Sequence, residues 1–309
     1  MDICPIRWFM HRSRYTIVVS SCDAYSDLWE PFFKVLKDEW EGLERIPIVL
    51  NTESRSFSYE GLDITTMQLY RNGQQASWTE RLRRTLERID TEYILFLLDD
   101  FFMQATVKAD LIDRHVKWLD SDRSVSMLCY KETFASKNIK DGKYEGFERR
   151  PLFGAYKFNC QAALWRRKRL ISYLKVDENP WEWETFGNWR SFRHPFHRFY
   201  SALPGNEHVF PYIYDLNGKP FGGIGIYRGK WFLPYIEPIF KKHDIEMDYS
   251  VRGTLTDDDF PAPSAVPEKR KENAPRWKQC VWFIRPIYIR IKECYFETVF
   301  FLRHLRHFL

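Results

Sequence analysis

The sequence predicts an α/β protein with a mostly parallel central sheet flanked by helices. Three observations carry that expectation. A strand–helix–strand pattern runs from Tyr15 to Leu50. The uninterrupted apolar run Tyr93 to Leu98 has the character of a strand buried on both faces. Helical and strand patterns then alternate along the chain, as parallel sheets require.

Each element has a local reason. Tyr15 to Val19 is a short β-branched strand, followed by Ser20, Ser21, Cys22 and Asp23. Leu28, Phe32, Val35, Leu36 and Trp40 then recur at helical spacing. Ile46 to Leu50 reads as a second strand, and such a unit closes as a parallel pair with a right-handed crossover. Ser77, with Glu80 three residues on, has the form of a capping box heading a helix striped by Trp78, Leu82, Leu86 and Ile89. That helix feeds the run Tyr93 to Leu98, which stops abruptly at Asp99-Asp100. Val125 to Tyr130 and Phe158 to Trp165 read as further strands, and Lys137 to Gly146 as a polar loop. Arg166 to Leu174 and Leu233 to His243 read as helices. Residues 254–273 hold Pro261, Pro263 and Pro267 with mixed charge and read as a linker. The expected organisation is a main domain over 1–253, that linker, and a basic amphipathic helical segment over 274–309.

Composition narrows the function classes. With 309 residues, 44% hydrophobic and 29% charged, the chain supports a large packed domain and excludes extensive disorder. Aromatic residues reach 17%, which implies an aromatic core, a ring-binding surface, or both. The net charge of +5 is concentrated in one place: from Ser264 onward ten Lys/Arg face four Asp/Glu, which leaves the preceding body at −1. A nearly neutral body argues against a wide nucleic-acid footprint. In the tail, Val281, Ile284, Tyr288, Ile291, Tyr295, Leu302 and Leu305 alternate with Arg285, Arg290, Lys292, Arg303 and Arg306. That pattern suits an anionic membrane surface. Packing on the body or on a second subunit is the alternative, so a homo-oligomer stays open. The six cysteines show no zinc or redox spacing, and there is neither an opening apolar stretch nor a run of about 18 apolar residues. The expected setting is cytoplasmic.

Three constellations could carry chemistry. Two adjacent carboxylates at the end of an apolar strand are costly unless a cation balances them, and ligands of open α/β sheets bind beyond such strand ends. The stretch Asn179 to Arg190 places Glu182 and Glu184 among Trp181, Trp183 and Trp189, with a proton-accepting carboxylate beside rings that can face a sugar. The alternative is core tryptophans and surface carboxylates. The glycine-rich stretch Gly222 to Trp231 carries Arg228 and Lys230, which suits either an anion or an ordinary hairpin. Arg81, Arg83 and Arg84 read as a solvated helix face.

The order strand–Ser-Ser-Cys-Asp, second strand, helix, apolar strand, Asp-Asp resembles glycosyltransferases of the GT-A fold, close to the family-two inverting enzymes, over roughly Tyr15 to Arg252. The resemblance implies a nucleotide-sugar donor, a saccharide acceptor (lipid-linked or free), a place in surface-polysaccharide assembly, and a peripheral position on the inner face of the membrane. It implies Mn²⁺ or Mg²⁺ at Asp100, with Asp99 near the ribose and His243 as a further metal ligand. Ser20, Ser21 and Asp23 would meet base or ribose, and Arg71 a phosphate. Glu184, with Glu182 as runner-up, would be the base. Trp181, Trp183 and Trp189 would shape the acceptor pocket, while Arg228 and Lys230 would neutralise the leaving diphosphate. The chain departs from the family's Asp-x-Asp motif, because it reads Leu98-Asp99-Asp100-Phe101-Phe102. The literal match at Asp257-Asp258-Asp259 reads as a solvated acidic loop. A sugar-phosphate nucleotidyltransferase would need a glycine-rich, lysine-bearing loop after the first strand, and none is there. A non-catalytic protein using its basic tail on membrane or nucleic acid is the competing class.

Overall fold

The computed structural model describes residues 13–70, 75–132, 138–152, 156–174, 178–203, 209–212 and 225–259, with the side chains of Trp189 and Asp257 excepted. Arg71 and the tail beyond Asp259 therefore lie outside the described residues, and with them the membrane expectation for 274–309. Among the described residues no helix is long and apolar enough to cross a membrane.

Eight strands form the main sheet: β1 (Tyr15–Ser20), β2 (Ile48–Asn51), β3 (Ile64–Thr66), β4 (Tyr93–Leu98), β5 (Val125–Cys129), β6 (Phe147–Arg149), β7 (Ala163–Arg166) and β8 (Arg198–Ala202). Their spatial order is β3-β2-β1-β4-β7-β5-β8-β6. β1 lies between β2 and β4 and is parallel to both. All six of its residues are buried, as the β-branched run predicts. β7 is antiparallel to both β4 and β5, so those two strands run the same way. β8 is parallel to β5. The carboxyl ends of β1, β2, β4, β5 and β8 thus share one edge of the sheet.

The helices are α1 (Trp29–Glu39), α2 (Trp78–Glu87), α3 (Ala109–Ser121), α4 (Arg167–Tyr173), α5 (Pro180–Arg190) and α6 (Leu233–Lys242). The α2 cap forms as the sequence predicts, with the Ser77 hydroxyl accepting from the Glu80 amide at 3.2 Å. One face of the sheet presents Val18, Val49, Ile94, Phe96, Met127, Trp165 and Phe199. Trp78, Leu82, Leu86, Leu170, Tyr173 and Trp183 from α2, α4 and α5 pack onto it. A separate ring cluster joins Phe32 of α1 to Phe102, Trp231 and Phe240 of α6. Among the described residues the aromatic side chains are therefore largely core.

Several elements depart from the sequence reading, which has no counterpart for β3, β6 and β8. The strand expected over Phe158–Trp165 pairs only from Ala163, because Phe158 turns inward to stack on Trp183 at 5.4 Å. Helix α3 has no counterpart in that reading. The expected linker opens with β11 (Thr254–Leu255), which pairs with β10 (Lys230–Phe232); β10 in turn forms a hairpin with β9 (Ile226–Tyr227).

A buried ion pair fixes α5. The Arg190 guanidinium makes a two-pronged contact with the Glu178 carboxylate, one prong at 2.7 Å, and also donates to the Tyr173 carbonyl. Both side chains are almost fully buried, at 4% and 0% exposure. Removing one partner of such a pair strands the other charge. Arg190→Ala is expected to lower the unfolding free energy by about 3–5 kcal/mol in a urea titration. Exposed Arg193→Ala is expected to stay within about 0.5 kcal/mol of the parent protein.

Candidate active site

Register builds the site. Ser20 pairs with Leu98 of β4 and with Asn51 of β2, so the next residues, Ser21, Asp99 and Thr52, leave the sheet side by side. The Ser21 hydroxyl donates to Asp99 Oδ2 and accepts from Trp29 Nε1 at 2.7 Å. Ser20 accepts from Trp78 Nε1 at 2.9 Å. Both hydroxyls are thus engaged by buried tryptophans, and the serines act as supports beneath the edge rather than as an open nucleotide-binding surface.

The two carboxyls sit in low-dielectric surroundings. Burial, with the neighbouring Asp100 charge, pushes Asp99 up to about 8 against the Ser21 hydrogen bond. Burial pushes Asp100 up to about 7. Asp100 Oδ1 is buried with no hydrogen-bond partner among the described residues. A buried orphan acceptor is expensive to leave unpaired and suits an incoming cation or donor. Two carboxylates supply only part of a cation's shell, and no group of three or more His, Cys, Asp or Glu forms one among the described residues. The set fits a hard divalent ion that completes its coordination with phosphate oxygens and water, as Mg²⁺ commonly does.

Glu184 enters from α5. Its Oε1 accepts the Cys160 amide at 2.8 Å, and the Cys160 thiol also bonds to it. Cys160 feels both the Glu184 and Asp100 charges, which ties the α5 carboxylate to the strand-end pair. Burial raises the Glu184 pKa against the hydrogen bonds from Cys160, so Glu184 is a stronger base than a solvated carboxylate. Glu182 has another task. Its carboxylate accepts the Asn179 amide at 3.0 Å while the Asn179 side chain accepts the Glu182 amide at 2.9 Å, a capping box that starts α5.

Other expected site residues part company. Trp183 is 2% exposed and belongs to the core, stacked against Phe158 and Trp78, so it cannot line an acceptor pocket. Trp181 is 75% exposed at the start of α5. Asp23 turns to the loop after β2, where it accepts from the amides of Glu53, Ser54 and Arg55. Burial opposes its ionisation, but hydrogen bonds from the Ser54 hydroxyl and from those amides hold it below the usual carboxylate range. His243 points its two ring nitrogens at Asp38 (2.9 Å) and Glu39 (3.1 Å), and neither Asp99 nor Asp100 is a partner. The ring thus faces α1, although Nε2 makes no hydrogen bond among the described residues. Arg228 and Gly229, at φ 49° and 80°, form the two-residue turn of the β9–β10 hairpin, with Arg228 and Lys230 exposed. The hairpin still touches the site at its base. The Gly225 amide reaches the Asp100 carbonyl at 3.4 Å, and a Cβ at Gly225 would come within 2.7 Å of the Phe102 ring. Asp257–Asp259 is a short 3-10 turn.

The structure adds residues that the sequence reading passed over. Arg81 is buried, not solvated, and donates to the Ser21 carbonyl at 3.1 Å while facing Glu53 at 3.6 Å. Helical spacing could have found it, since it lies three residues after Trp78 and four before Thr85 on the buried side. Arg252 stacks over Tyr25 at 4.4 Å, pairs with Asp27 and feels the Asp99 charge. Tyr25 is half-buried, and its hydroxyl pKa is raised by burial and by Asp100 and Asp99, with Arg252 opposing. No local pattern brings residues more than 220 positions apart together.

No family model and no curated protein matches the chain. Solved structures do resemble it. The mannosyltransferase PcManGT from Pyrobaculum calidifontis, in complex with GDP-Man and Mn²⁺, aligns at 14% identity and TM-score 0.39, covering 62% of this chain and 54% of that one. TarS 1-349 from S. aureus, in complex with UDP-GlcNAc, aligns at 10% and 0.38, covering 64% and 60%. A cytidylyltransferase from Leptospira borgpetersenii aligns at 12% and 0.39, covering 63% and 77%. The chain thus spans little more than half the length of the two glycosyltransferases. Likeness at this level carries no argument about activity; the α/β class expected of a GT-A-type sheet rests on the chain's own strand order.

Both acids of the pair hold protons more readily when folded than when unfolded. The stability they contribute is complete below their ordinary pKa of 3.8 and is lost as pH rises through about 7 to 8. Asp100→Asn removes one of these titrations. Its melting temperature at pH 8.5 is expected to exceed that of the parent protein, and the gap should close by pH 4.

Proposed function

We propose that the protein is a nucleotide-sugar-dependent glycosyltransferase that inverts the anomeric centre with a carboxylate base. The observation that supports this best is the placement of Asp99-Asp100 at the carboxyl end of β4, together with Glu184, which is bonded to Cys160, a thiol that also feels the Asp100 charge. Strand-end carboxylates balance a diphosphate-bound cation, and a second, raised carboxylate takes a proton.

Asp100, with Asp99 beside it, would hold Mn²⁺ or Mg²⁺, which when bound supplies charge to the departing diphosphate. The chain's own residues do the rest. Ser21 fixes the Asp99 carboxylate, and Cys160 orients Glu184. Glu184 accepts the proton of the acceptor hydroxyl as its oxygen bonds to the anomeric carbon. The bond from that carbon to the phosphate oxygen breaks, and the electron pair leaves with the nucleoside diphosphate. Arg252, which Asp27 holds in place, and the hairpin residues Arg228 and Lys230 would supply positive charge to the diphosphate. A saccharide acceptor, lipid-linked or free, and a role in surface-polysaccharide assembly are the finer parts of this reading.

Two measurements test it. A thermal-shift screen with UDP-, GDP-, CMP- and dTDP-sugars and Mn²⁺ is expected to give a shift with one donor class that disappears in Asp100→Ala. A screen in which no donor shifts the melt points instead to the non-catalytic class. Glu184→Gln is expected to lower kcat by about 10²–10⁴-fold while the donor-induced shift persists. Unchanged turnover would remove Glu184 from the role.

A further inference from the structure

A cavity of about 250 Å³ lies between α3 and the ends of β5, β8 and β6. Tyr130 follows β5, Ala202 ends β8 and Phe147 begins β6, so the cavity lies on the same sheet edge as Asp99-Asp100. β7 alone separates β5 from β4, which puts the near wall of the cavity roughly 10 Å along that edge at ordinary strand spacing, with its β8 and β6 walls farther out.

Its walls are rings and its rim is charged. His115 lies 4.6 Å from Trp118, 5.2 Å from Phe147 and 5.5 Å from Tyr130, measured between ring centroids. His115 Nδ1 faces the Tyr130 hydroxyl at 3.2 Å, and its other nitrogen has no hydrogen-bond partner among the described residues. Burial keeps this imidazole neutral at physiological pH, so it offers one donor and one acceptor. Exposed Arg114 and Glu145 stand at the mouth.

These features select a ligand. The volume is below the range of about 300–1,000 Å³ that suits drug-sized molecules, which matches a single ring with its substituents. The phenyl ring of Phe147 stands at 86° to His115 and 89° to Trp118. Phe147 thus crosses its neighbours while His115 and Trp118 are tilted at 41°, a wedge that suits a puckered ring with C–H faces on more than one side. Arg114 supplies a fork of donors, Glu145 supplies acceptors and His115 supplies either, a set that matches a ring of hydroxyls, each both donor and acceptor.

We propose that this cavity binds one uncharged pyranose ring of a saccharide, gripped by Trp118 and Phe147 and hydrogen-bonded by His115, Arg114 and Glu145. If the transferase reading holds, it is an acceptor subsite set back from the transfer point, and a saccharide longer than one ring would span the two. The binding itself does not depend on that reading.

The test is saturation-transfer NMR on the full chain with the methyl glycosides of glucose, galactose, mannose and N-acetylglucosamine, and with uridine and adenosine. At least one glycoside is expected to show transfer in the parent protein and in Asp100→Asn. A fivefold or greater loss is expected in Trp118→Ala and in the surface variant Glu145→Gln, the latter guarding against misfolding of the former. No transfer to any glycoside, or transfer to nucleosides alone that Trp118→Ala abolishes, would overturn the proposal. So would glycoside signals that survive both cavity variants but vanish in Asp100→Asn. The donor-induced thermal shift, measured in Glu145→Gln, reports separately on the transferase reading and is expected to persist.

Discussion

Two carboxyl groups held out of water at the end of a fully apolar strand set the terms for everything around them. Neither can ionise cheaply where it sits, so the surrounding chain either neutralises them or recruits something that will. The fold does part of this work. Ser21 donates to Asp99, Trp29 holds Ser21, and Arg81 grips the Ser21 backbone while facing Glu53. Arg252 contributes a more distant positive charge. One oxygen of Asp100 is left without a partner among the described residues, which leaves it open to an incoming donor or cation.

The parts of the fold legible in the sequence were those whose signal is local and repeated. β4 begins and ends where its apolar run does, and the Ser77 cap starts α2 where the motif places it. The strands shortened by tertiary packing were not legible. Phe158 has the composition of a strand residue, yet its ring is worth more against Trp183, Tyr173 and Phe199 than in a ladder position. Helix α3 escaped notice although it has a buried stripe of Ile112, His115, Val116 and Leu119, because a histidine interrupts the apolar pattern.

For the site, residue type was easier to read than orientation. Asp99 and Asp100 directly follow β4 and Glu184 lies in the first half of α5, because strand-end and helix signals fix positions along the chain. The tryptophans were harder. Trp181 and Trp183 are two residues apart on one helix, which sends one into solvent and the other into the core. His243 was drawn to two acidic neighbours on α1 that only the folded chain supplies. Arg252 and Tyr25 met the site through contacts too distant in sequence for any pattern to foresee.

The clamp between Glu178 and Arg190 also bears on how such a protein could change over time. It pins α5 at both ends from inside, so the helix cannot slide or rotate without exposing a charge to a dry interior. Its outer side, where Trp181 and Thr185 lie, is free of that constraint. Substitutions can therefore accumulate on the solvent side and remodel what approaches the helix while the inward carboxylate of Glu184 keeps its aim. A buried charge pair of this kind separates the part of a helix that can diversify from the part that cannot.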